Sequence, residues 1–177
     1  MKRAGHLVRR FARSLFPRRP SEEDERWVSG ILTTSQIGLW ARVGPTDRAH
    51  AVDVARRVAL RLGEGDAEDR LDVLRAALLH DVGKVESGAG VPLRVVATLL
   101  GPVITDARAA RLARRGGVAG RLGRQLRYPA LGAELLAEVG SSRLVTRWAA
   151  EHHLEPGRWT VDSEVGALLQ AADDAAS

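Results

Sequence analysis

Three stretches of the chain repeat apolar residues at helical spacing, at positions 47–62, 67–80 and 163–176. Such stretches predict amphipathic helices that bury one face in a common core. The β-branched runs are short, and aromatic residues make up only 4% of the chain. The pattern therefore predicts an all-α fold, a single compact helical domain with an aliphatic core. A chain of 177 residues is long enough to bury such a core in one domain.

Each of the three stretches carries a histidine or an aspartate on its apolar face. His50 precedes Val58 by about two helical turns, so both side chains lie on one stripe. His80 and Asp173 lie toward the ends of the other two apolar faces, whereas Asp174 points about 100° away from Asp173. Burying imidazole and carboxylate groups without partners costs free energy. A shared metal ion is the simplest partner, because divalent transition metals prefer these ligands.

The histidines also fall in an ordered series along the chain. A single histidine on an apolar face is more often a hydrogen-bonded core residue than a ligand, and a lone His-Asp dipeptide occurs by chance. Here four of the five histidines join two aspartates in one series, which favours a metal site. Adjacent helical residues diverge, so it stays open whether one or both members of the His-His pair coordinate. The predicted ligands are His50, His80, Asp81, His152, His153 and Asp173.

This series resembles the HD superfamily of metal-dependent phosphohydrolases, all-helical proteins named for the His-Asp dipeptide. The resemblance spans residues 47–174, and the run from Leu79 to Lys84 is most similar to the HD-GYP branch, which typically has His-Asp-Ile-Gly-Lys. The resemblance implies one or two divalent ions of manganese, iron, zinc or magnesium. It also implies hydrolysis of a phosphoester, such as a nucleotide or a related signalling molecule, by metal-activated water.

The chain departs from the HD-GYP branch in two places. Tyr128 stands where the branch has the histidine of a His-Pro-x-x-Gly helix start, and residues 155–160 lack the Gly-Tyr-Pro signature. These departures argue against cyclic di-guanylate as the substrate. Tyr128 either donates a hydrogen bond to a phosphate or a metal-bound water, or packs as an aromatic lid beside Pro129. Its presence also favours the alternative function, a weakly active or inactive regulatory module that binds a nucleotide or a protein.

Asp81 and Lys84 are the candidate catalytic residues. Asp81 directly follows a predicted ligand and is placed to bind one ion or to bridge two. Of the 27 basic residues only Lys2 and Lys84 are lysine, so Lys84 stands out four positions after His80. A compact ammonium contacts a phosphate as a point charge, where a guanidinium fork would not fit. The alternative explanation is an ordinary surface lysine.

The first 20 residues form a separate basic segment that precedes the domain at 21–177. They hold seven basic residues and no acid, interleaved with apolar residues at helical spacing. Arginines interrupt every apolar run, which excludes a signal peptide, and the segment lacks the ~20 apolar residues of a transmembrane span. It either packs on its own domain or lies on an anionic membrane surface. We expect a cytoplasmic protein, with peripheral membrane contact as the alternative; the oligomeric state stays open.

A second basic stretch, at 106–128, holds seven arginines and one acid. Its glycines predict a short helix, a turn and another helix. The stretch is either an electrostatic funnel for a phosphorylated small molecule or a solvated face. The lack of a recognition motif and of interleaved aromatics argues against nucleic acid. The apolar stretch before it, at 91–104, is too short to cross a bilayer and predicts a buried core helix.

Overall fold

The computed structural model describes residues 18–176, which form ten α-helices and contain no strand. The predicted all-α fold is therefore confirmed over this range, while most of the basic segment at 1–20 lies outside the described residues. Three 3-10 turns separate some of the helices, at Val82–Glu86, Gly101–Val103 and Pro156–Arg158. The helices are α1 (Glu22–Ser29), α2 (Thr34–Trp40), α3 (Pro45–Ala59), α4 (Ala67–Leu79), α5 (Val91–Leu100), α6 (Asp106–Ala113), α7 (Gly117–Leu126), α8 (Tyr128–Glu138), α9 (Arg143–Glu151) and α10 (Ser163–Ala176).

The core lies where α3, α4, α9 and α10 meet. Helix α3 packs between α4 and α10, α9 packs against α4, and α8 covers α9 from the other side. Val58, Leu79 and Leu169 are among the side chains that these helices bury completely. The helices that carry the three predicted apolar stripes therefore face one another, as their periodicity requires.

Local signals in the sequence fix most helix ends. Ser21 and Asp24 form a capping box that begins α1, and the side chain of Asp66 caps α4. Helix α3 begins two residues before the predicted start at 47, because Pro45 occupies its first turn, where the fixed φ of proline suits a helix. It ends at Ala59, three residues before the predicted end at 62.

Helix α5 forms as predicted, but the prediction that it is buried is wrong. Ala97 is its only buried residue, and most of its apolar side chains face outward. The physical reason is the position of the helix, because α5 packs against α7 and the turn after it rather than against the core helices. The basic stretch at 106–128 forms the predicted pair of helices, α6 and α7, which pack on each other beside α5.

The 3-10 turn after α4 lies unusually close to α8. A Cβ atom on Gly83 would lie 2.6 Å from the backbone nitrogen of Gly132 and would also overlap the carbonyl oxygen of Tyr128. Only glycine permits this approach. The turn thereby holds Asp81 and Lys84 beside Tyr128. None of the helices within residues 18–176 combines the length and the apolar character needed to cross a membrane.

Candidate metal centre

Three of the predicted ligands meet where α3, α4 and α10 come together. His50 lies on α3, His80 directly follows α4, and Asp173 lies near the end of α10. Their ligand atoms all lie within 4.8 Å of one another. Nε2 of His50 is 2.9 Å from Oδ1 of Asp173, whereas the neighbouring Asp174 is exposed to solvent. Residues that are more than 120 positions apart in the chain therefore form one compact group.

His80 is held with one ring nitrogen facing this group. Its side chain is only 3% exposed, and Nδ1 lies 2.8 Å from the carbonyl oxygen of Ala77. Because a carbonyl oxygen only accepts hydrogen bonds, Nδ1 carries the proton and Nε2 keeps its lone pair. Nε2 lies 3.5 Å from Oδ2 of Asp81. A backbone hydrogen bond that orients an imidazole in this way is typical of metal-binding histidines.

His152 repeats the arrangement at the end of α9. Its Nδ1 lies 3.0 Å from the carbonyl oxygen of Ala149, so Nδ1 carries a proton and Nε2 is the acceptor nitrogen of the neutral ring. That nitrogen lies 3.6 Å from Oδ1 of Asp81 and 3.3 Å from the hydroxyl of Tyr128. The side chain is 5% exposed, and its ring centroid is 5.1 Å from that of His80. His152 therefore lies at the edge of the group, within reach of both Asp81 and Tyr128.

His153 and Tyr128 lie on the outer side of His152. His153 is exposed to solvent, and its Nε2 contacts the hydroxyl of Tyr128. Tyr128 is itself buried and contacts both histidines through its hydroxyl. The two adjacent histidines therefore differ in position: one faces the buried group and the other faces solvent across Tyr128.

The donor atoms of this group fit a divalent cation. Within residues 18–176, Nε2 of His50 and Oδ1 of Asp81 are buried, and their contacts with Asp173 at 2.9 Å and His152 at 3.6 Å do not have the geometry of hydrogen bonds. Leaving buried polar atoms without partners costs free energy, and most proteins avoid it. A cation among two imidazole nitrogens and two carboxylates would satisfy these atoms with ligands that transition metals prefer.

The electrostatics of the group favour the protonation states that bind metals. Burial would raise the pKa of Asp81, but Lys84 and His80 outweigh this effect and hold the pKa well below its usual range. Burial would also raise the pKa of Asp173, but His50 and His80 outweigh this effect and lower the pKa. Burial lowers the pKa of His80 despite the nearby carboxylates. At neutral pH the group therefore holds two carboxylates and a neutral imidazole, the forms that coordinate metals.

A family model described as HD domain matches residues 49–176, well over half of the chain. This chain belongs to the HD domain family. HD domains are generally metal-dependent phosphohydrolases, and the matched region contains every predicted metal ligand. The match does not distinguish branches of the family, so the likeness to the HD-GYP branch stays a prediction. Comparisons with curated proteins and with solved structures gave no match.

Lys84 connects the centre of this HD domain to an outer group of charges. Its ammonium contacts Oδ2 of Asp81 and lies 3.6 Å from Oδ1 of Asp47. Arg94 donates two hydrogen bonds of 2.9 Å to the two carboxylate oxygens of Asp47. Burial would raise the pKa of Asp47, but Lys84 and Arg94 outweigh it and lower the pKa. The side chain of Lys84 is largely buried, which contradicts the alternative of an ordinary surface lysine.

Neither Asp47 nor Arg94 belongs to a motif that predicts a functional role. The available signal was the position of Asp47, three residues before His50 on the same helical face. No comparable signal existed for Arg94, because its pairing with Asp47 depends on tertiary structure that the local sequence does not encode. Both residues belong to the surroundings of Lys84 rather than to the group of candidate ligands.

A small cavity of about 140 Å³ opens beside Lys84. Its charged lining residues are Arg42, Asp47, Lys84 and Arg94, and each of the three cations is paired with a carboxylate, that of Glu86, Asp81 or Asp47. The arginines of the 106–128 stretch do not line this cavity, although the whole stretch is described. The cations that line this cavity therefore come from the turn before α3 (Arg42), the 3-10 turn after α4 (Lys84) and α5 (Arg94), not from the stretch at 106–128 that could have formed a funnel.

Proposed function

We propose that this HD domain hydrolyses a phosphoester with the help of a divalent metal ion. The group of His50, His80 and Asp173 carries this proposal, together with the unsatisfied atoms Nε2 of His50 and Oδ1 of Asp81. The ion would be manganese, iron, zinc or magnesium, held by His50, His80, Asp81 and Asp173. When bound, it would lower the pKa of a coordinated water and polarise a phosphoryl oxygen. His152 would support a second ion or the substrate.

The side chains of the chain itself supply orientation and charge. Backbone hydrogen bonds fix the rings of His80 and His152, so neither ring needs to turn before a ligand binds, although the Tyr128 hydroxyl already contacts Nε2 of His152. Asp81 stays ionised between Lys84 and these two rings, which suits it to act as a ligand or as a bridge between two ions. The Tyr128 hydroxyl contacts His152 on the outer side and has a single proton, so it would have to give up that contact in order to donate to a substrate oxygen.

The cavity beside Lys84 supports a phosphorylated substrate, a nucleotide or a related signalling molecule. Its volume of about 140 Å³ suits a phosphoryl group with part of its substituent, and Arg42, Lys84 and Arg94 favour a negative charge there. Lys84 reaches both this cavity and Asp81. In this proposal Lys84 contacts the phosphate while Asp81 faces the reacting oxygen.

A second candidate function is a regulatory module that binds its ligand but hydrolyses it slowly or not at all. The specific observation in its favour is Tyr128, whose hydroxyl already contacts both histidines of the His-His pair. These contacts occupy nitrogen atoms that would otherwise be available to a second ion. Such a module would bind a nucleotide or a protein partner without turnover.

Metal content and turnover, measured together, separate these functions. The wild type, Asp81→Ala and the control Asp174→Ala would be analysed for bound metal and for manganese-dependent hydrolysis of generic phosphomonoesters and phosphodiesters. We expect metal and turnover in the wild type and the control, and the loss of both in Asp81→Ala. Metal without turnover on any phosphoester would favour the regulatory module. A wild type that binds no metal after reconstitution would contradict both the ligand assignment and the hydrolase proposal.

A further inference from the structure

Helices α5 and α7 carry an exposed apolar surface. Within residues 18–176, eight large apolar side chains are exposed, and six of them lie on α5, on α7 or on the turn between α5 and α6. Such a concentration marks an interaction site, because scattered exposed apolar residues are normal but contiguous ones are not. The members of this α5–α7 surface are Val91, Val95, Val96, Leu99, Val103 and Val118.

A groove joins the two helices within this surface. Val96 on α5 and Val118 on α7 line it together with Arg121, and its volume is about 350 Å³. Its other lining residues include Pro92 and Leu93, so the walls are mainly aliphatic. The groove therefore combines an apolar floor with one guanidinium group at its side.

The chain around this surface is strongly basic. Residues 91–127 hold eight arginines against a single acid, Asp106, and include no aromatic residue. Two of these arginines bond inward, Arg94 to Asp47 and Arg124 to the carbonyl oxygen of Glu86. Five others are exposed and form no ion pair within the described part of the chain: Arg108, Arg111, Arg114, Arg115 and Arg121.

We propose that the α5–α7 surface docks on an anionic lipid bilayer. Aliphatic side chains would enter the boundary between headgroups and acyl chains, while the arginines contact lipid phosphates. A second copy of the chain would oppose arginines with arginines, and residues 1–17 are themselves basic. Nucleic acid would leave the aliphatic residues without a partner and would find no aromatic side chain on which to stack its bases. An anionic bilayer offers phosphates to the arginines and an apolar boundary to the aliphatic side chains of the α5–α7 surface.

Vesicle co-sedimentation of the full-length protein tests this proposal. The probes are phosphatidylcholine vesicles with and without phosphatidylglycerol, and the variants are Leu99→Asp and Val118→Asp. Both side chains are at least 60% exposed, so neither substitution disturbs the packed core. The matched control is Leu60→Asp, because Leu60 is 87% exposed at the end of α3, away from the surface. Residues 1–17 are unchanged in all four proteins, so their contribution to binding stays constant.

We expect the wild type and Leu60→Asp to sediment only with the anionic vesicles, and each surface variant to bind about tenfold more weakly. Two charge reversals should give the same result: Arg121→Glu should weaken binding to anionic vesicles more than its control, Arg61→Glu, which changes an exposed arginine away from the surface. Equal binding by the surface variants and the wild type would overturn the proposal and assign any binding to residues 1–17. If the wild type were a dimer, and Leu99→Asp dissociated it without changing vesicle binding, the surface would instead bind a second copy of the chain and the proposal would be overturned. Binding of soluble polyglutamate but not of anionic vesicles would overturn it in favour of an acidic protein.

Discussion

Two adjacent aspartates in α10 offer a matched test of the candidate centre. Asp173 faces His50, whereas Asp174 is exposed. Asp173→Asn keeps the shape of the side chain but removes its charge, so manganese affinity should fall by at least about tenfold. Asp174→Asn should bind manganese like the wild type. Isothermal titration calorimetry measures both affinities. If the two variants bound the ion equally well, Asp173 would not be a ligand.

A second residue-level prediction concerns the close approach of the turn after α4 to α8. Gly83→Ala would place a methyl group against the backbone of Gly132, and backbone cannot move aside as a flexible side chain can. We expect the free energy of unfolding to fall by about 2 kcal/mol or more. The control is Gly38→Ala within α2, where a Cβ meets nothing within 4 Å and should stabilise the helix by about 0.5–1 kcal/mol. Urea denaturation measures both; a Gly83→Ala variant as stable as the wild type would show that the turn can shift.

For single residues, the sequence was sufficient to predict the direction of a side chain wherever that direction follows from helix periodicity. His50, His80 and Asp173 could be placed on inward faces because the apolar residues one and two turns away define those faces. The inward direction of Asp173 rather than Asp174 follows in the same way. The charge pair of Asp47 and Arg94 could not be predicted, since it joins residues 47 positions apart and depends on tertiary packing alone.

Among the elements, α1 has the clearest local determinant. Oδ2 of Asp24 accepts hydrogen bonds from the backbone nitrogen and the hydroxyl of Ser21, and Arg56 contacts the other oxygen. Asp24→Ala should lower the free energy of unfolding by about 1 kcal/mol. Glu23→Ala is the control, because it removes the same charge from the same turn without a capping contact. Denaturation at neutral pH measures both, and an equal loss in the two variants would assign the effect to charge rather than to the cap.

The contribution of Asp24 should also depend on pH. Burial would raise its pKa, but the hydrogen bonds from Ser21 and Arg56 outweigh this and lower the pKa from its ordinary value of 3.8. A carboxyl group with a lower pKa in the folded state stabilises the fold above its unfolded pKa. The stability difference between the wild type and Asp24→Ala should therefore be constant above about pH 5 and shrink as the pH falls below 3.8. An unchanged difference at low pH would contradict the lowered pKa.

Helix positions were easier to predict from the sequence than helix environments. The stretch at 163–176 forms α10 at the same bounds, because its apolar residues keep one period throughout. Helix α5 was placed but assigned to the core, since its run of Val and Leu is apolar on most sides. Apolar content alone does not tell which helix the core excludes. That outcome depends on α7, which covers only part of α5.

In the whole molecule, charge and burial are divided between two regions. Helices α3, α4, α9 and α10 enclose the candidate metal centre, while α5, α6 and α7 lie beside them and carry exposed arginines. The formal net charge is only +5, although residues 91–127 alone hold eight arginines and one acid. The remaining residues hold 19 basic and 21 acidic side chains, so they offset only two of the seven excess positive charges of this stretch. The candidate metal centre and the surface proposed to contact lipid therefore lie on different sets of helices.

The centre also links metal binding to the stability of the whole fold. Its candidate ligands come from α3, α10 and the ends of α4 and α9, and they converge only when these helices pack. An ion that binds the folded state alone should raise the free energy of unfolding by about 2.7 kcal/mol at a concentration 100 times its Kd. Manganese should therefore raise the thermal midpoint of the wild type and leave that of His50→Ala almost unchanged.

Calcium is the matched control ion, because it prefers six to eight oxygen ligands and should gain little from two imidazole nitrogens. Differential scanning calorimetry of both proteins with each ion separates the possibilities. A manganese shift of equal size in the wild type and in His50→Ala would place the ion elsewhere on the chain. A calcium shift as large as the manganese shift would indicate an oxygen-only site, which the geometry around His80 does not provide. Selective stabilisation by manganese would tie the ion to the helices that bring His50, His80 and Asp173 together.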